Sequence, residues 1–168
     1  TGFDATFDAC RDGGYRGLNT TYPYKETVLQ RLRPATPQIA HLGAVNTVLF
    51  EADGPVGHNT DYSGFVAAFR HRFGATPPGV VAMVGAGGVG KACGFGLVDL
   101  GAHELRIVDS DREKADALAV ALRALQPGLD VQVIDAVNDA ADGADGLINC
   151  TPQGMVGSPG MPFPEARI

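Results

Sequence analysis

Long apolar runs are missing from this chain. No stretch of about eighteen hydrophobic residues, the length a bilayer-crossing helix needs, occurs in the 168 residues. No basic-then-apolar leader opens it, so secretion finds no support and a cytoplasmic location is expected. Positive charge is short as well: 13 Lys and Arg stand against 19 Asp and Glu, for a net charge of -6 and a pI near 5.0. That balance repels polyanions at long range and excludes a general nucleic-acid or anionic-membrane surface, although a single small anion can still bind locally. Cysteine is limited to Cys10, Cys93 and Cys150, an odd number, widely spaced and without metal-ligand spacing. Reduced thiols and no metal are the expectation.

What is present is the composition of an ordered globular chain, 45% hydrophobic and 19% charged, with enough residues for one ordinary core or two small ones. Among its 23 glycines, three have the spacing G-x-G-x-x-G in the loop Gly85-Ala86-Gly87-Gly88-Val89-Gly90, directly after the apolar run Val80 to Val84. Gly85 permits a tight strand-to-helix turn, Gly87 lets the backbone approach a pyrophosphate, and Gly90 lets the helix pack closely on the strand. Val89, Cys93, Leu97 and Leu100 continue at helical spacing, and a second strand, Leu105 to Val108, ends in Asp109. A carboxylate there accepts hydrogen bonds from both adenosine ribose hydroxyls, whereas a 2′-phosphate would meet like charge, so Asp109 favours NAD over NADP. Asp111 adds a second negative charge, with Arg112 and Lys114 in the following turn. As plain alternatives, Asp109 reads as an ordinary strand-end acid and Lys114 as a solvated helix charge.

Pro77-Pro78-Gly79 separates two textures, and the expected boundary falls there: residues 1–78 form part of a smaller α/β domain, and 79–168 an incomplete Rossmann-type, doubly wound parallel sheet. In the first part, Thr21 is expected to cap a helix with Pro23 in its first turn, its stripe of Val28, Leu29 and Leu32 stopped by Pro34. A hairpin follows, with Val45 to Phe50 and Val56 to Asn59 joined by the turn Asp53-Gly54. Tyr62, Phe65, Val66, Phe69 and Phe73 mark a further helix. In the second part, Ser110 with Glu113 reads as a capping box for a helix whose inner face is Ala115, Leu118, Ala119, Leu122 and Leu125. Val131 to Ile134 and Gly146 to Asn149 supply two more strands, with a short Ala-rich helix between them. Such alternation implies a parallel sheet with right-handed crossovers. The chain starts at Thr1 and ends at Pro164 to Ile168 in what reads as a loop, as a piece of something longer does.

Two residues stand out chemically. Lys25 projects from the apolar side of its expected helix, where its stem either snorkels along the core edge or serves a site. Asp61 precedes a helix and reads either as an N-cap carboxylate or as that lysine's partner. With Asp53-Gly54 as the loop, paired hairpin residues sum to 107 and Asn46 lies opposite Asp61 on one face; Pro55, which cannot donate, is the place where this register is open to a slip. An alcohol under oxidation must lose its hydroxyl proton as hydride leaves its carbon, and a lysine held by a carboxylate can relay that proton. Thr21, Asn46 and Asn59 are candidates to orient a polyhydroxylated ring beside the pair.

Asn19 to Lys25, Gly43 to Thr47, Gly57 to Asp61 with Gly64, the glycine loop, and Asn149 to Met155 together resemble the shikimate dehydrogenase family, in order and over nearly the whole chain from about residue 14. The resemblance implies reversible oxidation of a ring hydroxyl of shikimate to 3-dehydroshikimate with a nicotinamide cofactor. It implies Lys25 and Asp61 as the catalytic pair, Thr21 and Asn46 on the substrate hydroxyls, the glycine loop on the pyrophosphate, and Thr151 and Met155 near the cofactor. Where NADP-using members carry Asn-Arg-Thr/Ser, this chain has Asp109-Ser110-Asp111, and Thr21 to Lys25 replaces the commoner wording that ends Ile-Pro-His-Lys. Both departures are similar to the NAD-dependent quinate/shikimate dehydrogenases, which oxidise quinate to 3-dehydroquinate. The family's N-terminal serine motif for the substrate carboxylate and its C-terminal segment have no counterpart in these 168 residues.

The expectation is therefore an NAD-dependent oxidoreductase acting on quinate or shikimate, as a monomer or homodimer. Its alternatives are an NADP-dependent biosynthetic shikimate dehydrogenase and a catalytically silent ring-acid-binding relative, against which the retention of Lys25 and Asp61 argues. An unrelated Rossmann reductase or a methylene-tetrahydrofolate dehydrogenase-like enzyme would share the glycine loop but not the hairpin motif.

Overall fold

A computed structural model of the protein describes residues 2–163; the loop expected over Pro164 to Ile168 lies outside them. The chain forms two compact units that divide between Asp61 and Tyr62.

The first unit opens with helix α1 (Phe3–Asp12), whose Phe7 is buried, followed by strand β1 (Gly17–Asn19). A run of turns leads to a 3-10 helix over Thr27–Arg31, then strand β2 (Arg33–Pro34) and helix α2 (Pro37–Leu42), which Thr36 caps by accepting from the Ile39 amide. The hairpin is β3 (Thr47–Glu51) and β4 (Gly54–His58). In the sheet order β1-β3-β4-β2, only the β4/β2 pair is parallel. Phe7, Val28, Val45 and Val48 are wholly buried and form its core, with the Phe7 ring edge-on to Phe50.

Two expectations fail here, each for a definable reason. The α-helix expected from Thr21 is replaced by turns and the shorter 3-10 helix. An α-helix would give the Lys25 carbonyl to the Leu29 amide; instead the Val45 amide takes it at 2.8 Å, and Leu29 turns to the Glu26 carbonyl. The Tyr22-Pro23 peptide is cis, and Pro34 sits in β2, in register with Gly57. In the hairpin, pairs such as Thr47 with His58 and Glu51 with Gly54 sum to 105, so the loop is Ala52-Asp53 and Asn46 does not face Asp61. A loop of Asp53-Gly54 would require residue 55 to donate the closing hydrogen bond, and a proline has no N–H to give. In the observed register Pro55 pairs with Phe50, whose amide is turned to the carbonyl of Arg16, the residue before β1, so that pair asks nothing of the proline.

The second unit takes up helix α3 (Thr60–Phe73), which Phe65 and Val66 pack onto Gly96 of a later helix. Asp61 lies inside its first turn rather than at its N-cap. Strand β5 (Val80–Val84), helix α4 (Gly88–Asp99), strand β6 (Glu104–Val108), helix α5 (Arg112–Leu125), strand β7 (Asp130–Val133), helix α6 (Val137–Ala141) and strand β8 (Gly146–Asn149) follow. The sheet runs β7-β6-β5-β8, wholly parallel, with β5 central. This is the front of a Rossmann-type doubly wound sheet, incomplete, as expected. Met83, Leu97, Leu105, Ile107, Leu118 and Leu122 are its largest buried side chains. The helix cap of α5 is Asp111, accepting from the Lys114 amide, and not Ser110, the cap expected one residue earlier, whose hydroxyl turns instead to Asp109 Oδ1. Val89, at the second position of α4, is 41% exposed and so leaves the apolar stripe of that helix. No described helix is long and apolar enough to cross a membrane.

Tyr62 Oη donates to Asp99 Oδ2, tying α3 to the last residue of α4. Burial, and then Asp99, push the Tyr62 phenol up from 10.0 to about 12. The folded chain thus holds that proton more tightly than the unfolded one, so the contribution to stability is complete below about pH 10 and lost as pH rises to about 12. Tyr62→Phe should be less stable than wild type at neutral pH, with the gap closing across that window. Urea midpoints measured through it check this; a pH-independent gap would assign Tyr62 to packing alone.

Candidate active site

In the first unit the site grows from three adjoining stretches. Thr20, 6% exposed, anchors the first by donating its hydroxyl to the Val45 carbonyl at 2.7 Å, while its amide takes the Asn46 carbonyl. Five residues on, Lys25 Nζ meets Asp61 Oδ2 at 2.7 Å, the length of a charge-assisted hydrogen bond. Both side chains are largely but not wholly covered, 17% and 33% exposed, so the pair is shielded yet reachable.

Asn46 does not oppose Asp61, yet the same hairpin orients it. Its Oδ1 accepts from the Thr60 amide (2.8 Å), the Thr60 hydroxyl (3.1 Å) and the Thr47 hydroxyl (3.0 Å). With the carbonyl side of the amide so engaged, Nδ2 is fixed as the outward donor and makes no hydrogen bond to the described residues. Thr21 is exposed, and its hydroxyl likewise has no partner among them. Asn59 is a different case: only 2% exposed, it donates Nδ2 to the Ala44 carbonyl, which makes it part of the scaffold rather than a ring-orienting group. The residues that reading the sequence missed are Thr47 and Thr60, the supports of Asn46. The correct register, which places Asn46 beside Asn59-Thr60, was the signal that would have found them.

In the second unit the glycine loop is built as its spacing demands. Gly85 has φ +102, and a Cβ there would sit 2.9 Å from the Cys150 carbonyl. A Cβ on Gly90 would lie 2.0 Å from the Gly85 oxygen, so helix and turn are in backbone contact. Gly87, by contrast, has nothing within 4 Å of where a Cβ would stand, and α4 starts from it with no side chain capping its first amides. Open space before uncapped amides is what a diphosphate requires.

Asp109 stands at the end of β6 and already holds the loop: Oδ2 accepts from the Ala86 amide at 2.6 Å and Oδ1 from the Asp111 amide at 2.8 Å. Oδ1 also takes the Ser110 hydroxyl at 3.5 Å, which leaves Oδ2 with a second lone pair for a hydroxyl. Lys114 is exposed and pairs with Asp111 at 3.0 Å, which holds the Asp111 carboxyl below its usual range. After β8, Thr151 and Gln153 close a turn on Asn149, the Thr151 hydroxyl donating to Asn149 Oδ1 at 2.7 Å, and Met155 is 66% exposed. Beneath this turn a hydrogen bond with Cys93, then burial, push the Cys150 thiol far up, so it stays neutral and is no nucleophile. No trio of His, Cys, Asp or Glu among the described residues is gathered to hold a metal.

A parallel sheet with a glycine turn after its central strand and an acid at the tip of the next defines the class: a Rossmann-type nucleotide-binding fold, in a chain whose other unit holds a lysine–carboxylate pair. Residues 1–48 match the family described as the shikimate dehydrogenase substrate binding domain. The chain is 43% identical over 159 residues to a quinate/shikimate dehydrogenase (NAD(+)) of Corynebacterium efficiens, covering 93% of this chain and 56% of that one. It is 43% identical over 162 residues to a shikimate dehydrogenase (NADP(+)) of Streptomyces avermitilis, covering 95% and 56%. Among solved structures, quinate dehydrogenase from Corynebacterium glutamicum in complex with NAD superposes with a TM-score of 0.85 at 39% identity, over 97% of this chain and 59% of that one. Over most of its length the chain is thus similar to the shikimate dehydrogenase family, and it spans 56% of the length of the two curated relatives named here.

Proposed function

We propose that the complete protein is an oxidoreductase that reversibly oxidises a ring hydroxyl of quinate or shikimate, with NAD as its preferred cofactor. The observation that carries this is the 2.7 Å contact between Lys25 and Asp61 in one unit with the outward Asn46 donor. In this reading residues 1–78 bind substrate and 79–168 bind the dinucleotide. Thr21 and Asn46 hold ring hydroxyls. Lys25 accepts the proton of the reacting hydroxyl in the oxidative direction and returns it in the reverse, while Asp61 keeps the ammonium in place. Gly85, Ala86, Gly87, Gly88, Val89 and Gly90 cradle the pyrophosphate, Asp109 receives the ribose hydroxyls, and Lys114, Thr151 and Met155 flank the cofactor. The bound dinucleotide supplies the hydride acceptor. The relative that uses NAD and the structure with NAD support this reading; the relative that uses NADP, at equal identity, favours the second one, an NADP-dependent shikimate dehydrogenase, with Arg112 and Lys114 answering the 2′-phosphate.

Steady-state oxidation of quinate and shikimate by the complete protein, each with NAD and with NADP, tests both. NAD should be preferred, and Asp109→Ala should narrow the ratio of kcat/KM values by about tenfold, since a lost pair of ribose hydrogen bonds to a carboxylate is worth about 1.5–3 kcal/mol and like-charge repulsion is relieved. A ratio unchanged by the substitution would place discrimination elsewhere, and no turnover of either acid with either cofactor would overturn the proposal.

A further inference from the structure

Lys25 sits in a run of turns whose own hydrogen bonds are few, yet its ammonium is held to one partner at 2.7 Å. Something must stiffen that run from outside, and on one flank the Val45 amide bonded to the Lys25 carbonyl does so. On the other flank stands α1. Phe3 and Phe7, four residues apart, and Asp4 and Asp8, also four apart, each share a side of that helix. The Tyr24 ring, one residue before Lys25, stacks on Phe3 with centroids 4.7 Å apart and planes 16° from parallel. Arg31, six residues after Lys25, spans both carboxylates, with Nη1 on Asp4 at 2.6 Å and Nη2 on Asp8, while its guanidinium lies 4.9 Å over the Phe7 ring. Both ends of the lysine-bearing run are thereby pinned to one helix, by an aromatic stack before Lys25 and a forked ion pair after it.

We infer that α1 is the positioning element of the proposed reaction, and that Arg31, clamped on Asp4 and Asp8, and Tyr24, stacked on Phe3, are positioning residues for the Lys25 ammonium. The inference rests on the dehydrogenase reading of Lys25. A planar fork is the side chain suited to the task, since it meets two carboxylates and an aromatic face at once where a lysine meets one. Loss of the clamp leaves Lys25 in place chemically but spreads its ammonium over more positions, and misplacement by about 1 Å can cost up to about a hundredfold in rate.

The test uses the complete protein, with Arg31→Met on one side of the clamp and the pair Asp4→Asn with Asp8→Asn on the other. Each should lower kcat about tenfold while leaving the KM of quinate or shikimate within about twofold, and combining them should add no further loss. Arg31→Lys should recover part of the rate. Independently of turnover, labelling of Lys25 by trinitrobenzenesulfonate, read by peptide mass spectrometry, should quicken in both variants, because a side chain released from Asp61 more often presents its amine, the form that attacks the ring and displaces sulfite, to the reagent. If Arg31→Met fails to fold, the aspartate pair decides, since Asp4 is 75% exposed on the helix surface. Wild-type kcat and wild-type labelling in folded variants would overturn the inference. A wild-type protein that oxidises neither acid would instead overturn the functional reading, with the labelling still reporting on the clamp.

Discussion

Replacing Lys25 by alanine in the complete protein should lower kcat about 10²- to 10⁴-fold, the range a positioned proton-transfer group contributes, while substrate affinity falls far less. The expectation follows from where the ammonium sits. It is 17% exposed and bonded to Asp61 Oδ2, so no bulk water stands ready in its place to take the hydroxyl proton. Thr21 and the outward Nδ2 of Asn46, which hold the ring in the proposed reading, are untouched by the change. Asp61→Asn should give a milder loss, because the lysine remains but its ammonium loses the charge that fixes it. Rates from steady-state kinetics set against substrate affinity from calorimetry separate the two effects. A Lys25→Ala enzyme with nearly normal kcat, or one whose whole loss lies in affinity, would remove Lys25 from the chemistry.

The nucleotide half of the fold was legible because each of its signals is local. The glycine spacing is a backbone requirement readable residue by residue, β8 is an apolar segment found with its expected bounds at Gly146–Asn149, and the buried positions of α5 repeat at helical steps. The first unit resisted because its decisive bonds join residues far apart in sequence. The Val45 amide claims the Lys25 carbonyl from twenty residues away and so cancels a helix that Val28, Leu29 and Leu32 appeared to support locally. The hairpin register turned on Pro55, whose missing donor outweighs the turn preference of Asp53-Gly54, and with the register went the neighbours of Asn46. Lys25 and Asp61 nevertheless meet, as the pairing of a lysine with a carboxylate anticipates, although the register arithmetic placed the wrong residue opposite Asp61. Helix α1 carries Phe and Asp pairs four residues apart, whose partners Arg31 and Tyr24 lie well along the chain and so leave no local signal.

The glycine loop yields the sharpest contrast, because two of its glycines fail for different reasons. Alanine at residue 90 gains about 1 kcal/mol of helix propensity, but its Cβ would stand 2.0 Å from the Gly85 oxygen, a contact no rotamer relieves since both partners are backbone. Forcing helix and turn apart costs about 1–3 kcal/mol or more, so the clash wins and Gly90→Ala should lower the thermal midpoint by several degrees. The same displacement swings the first amides of α4 away from the anion, so NAD affinity should fall by at least about tenfold as well. Alanine at residue 87 meets nothing within 4 Å and should leave the midpoint of the ligand-free protein unchanged. It should weaken NAD binding all the same, because its methyl would occupy the space left for the diphosphate. Thermal unfolding with and without saturating NAD reads both quantities at once: Gly90→Ala lowers both curves, whereas Gly87→Ala lowers only the ligand-induced rise. If Gly87→Ala retains the full rise, the open space at that residue is not where the diphosphate lies, and the dinucleotide must be sought elsewhere along β5 and α4.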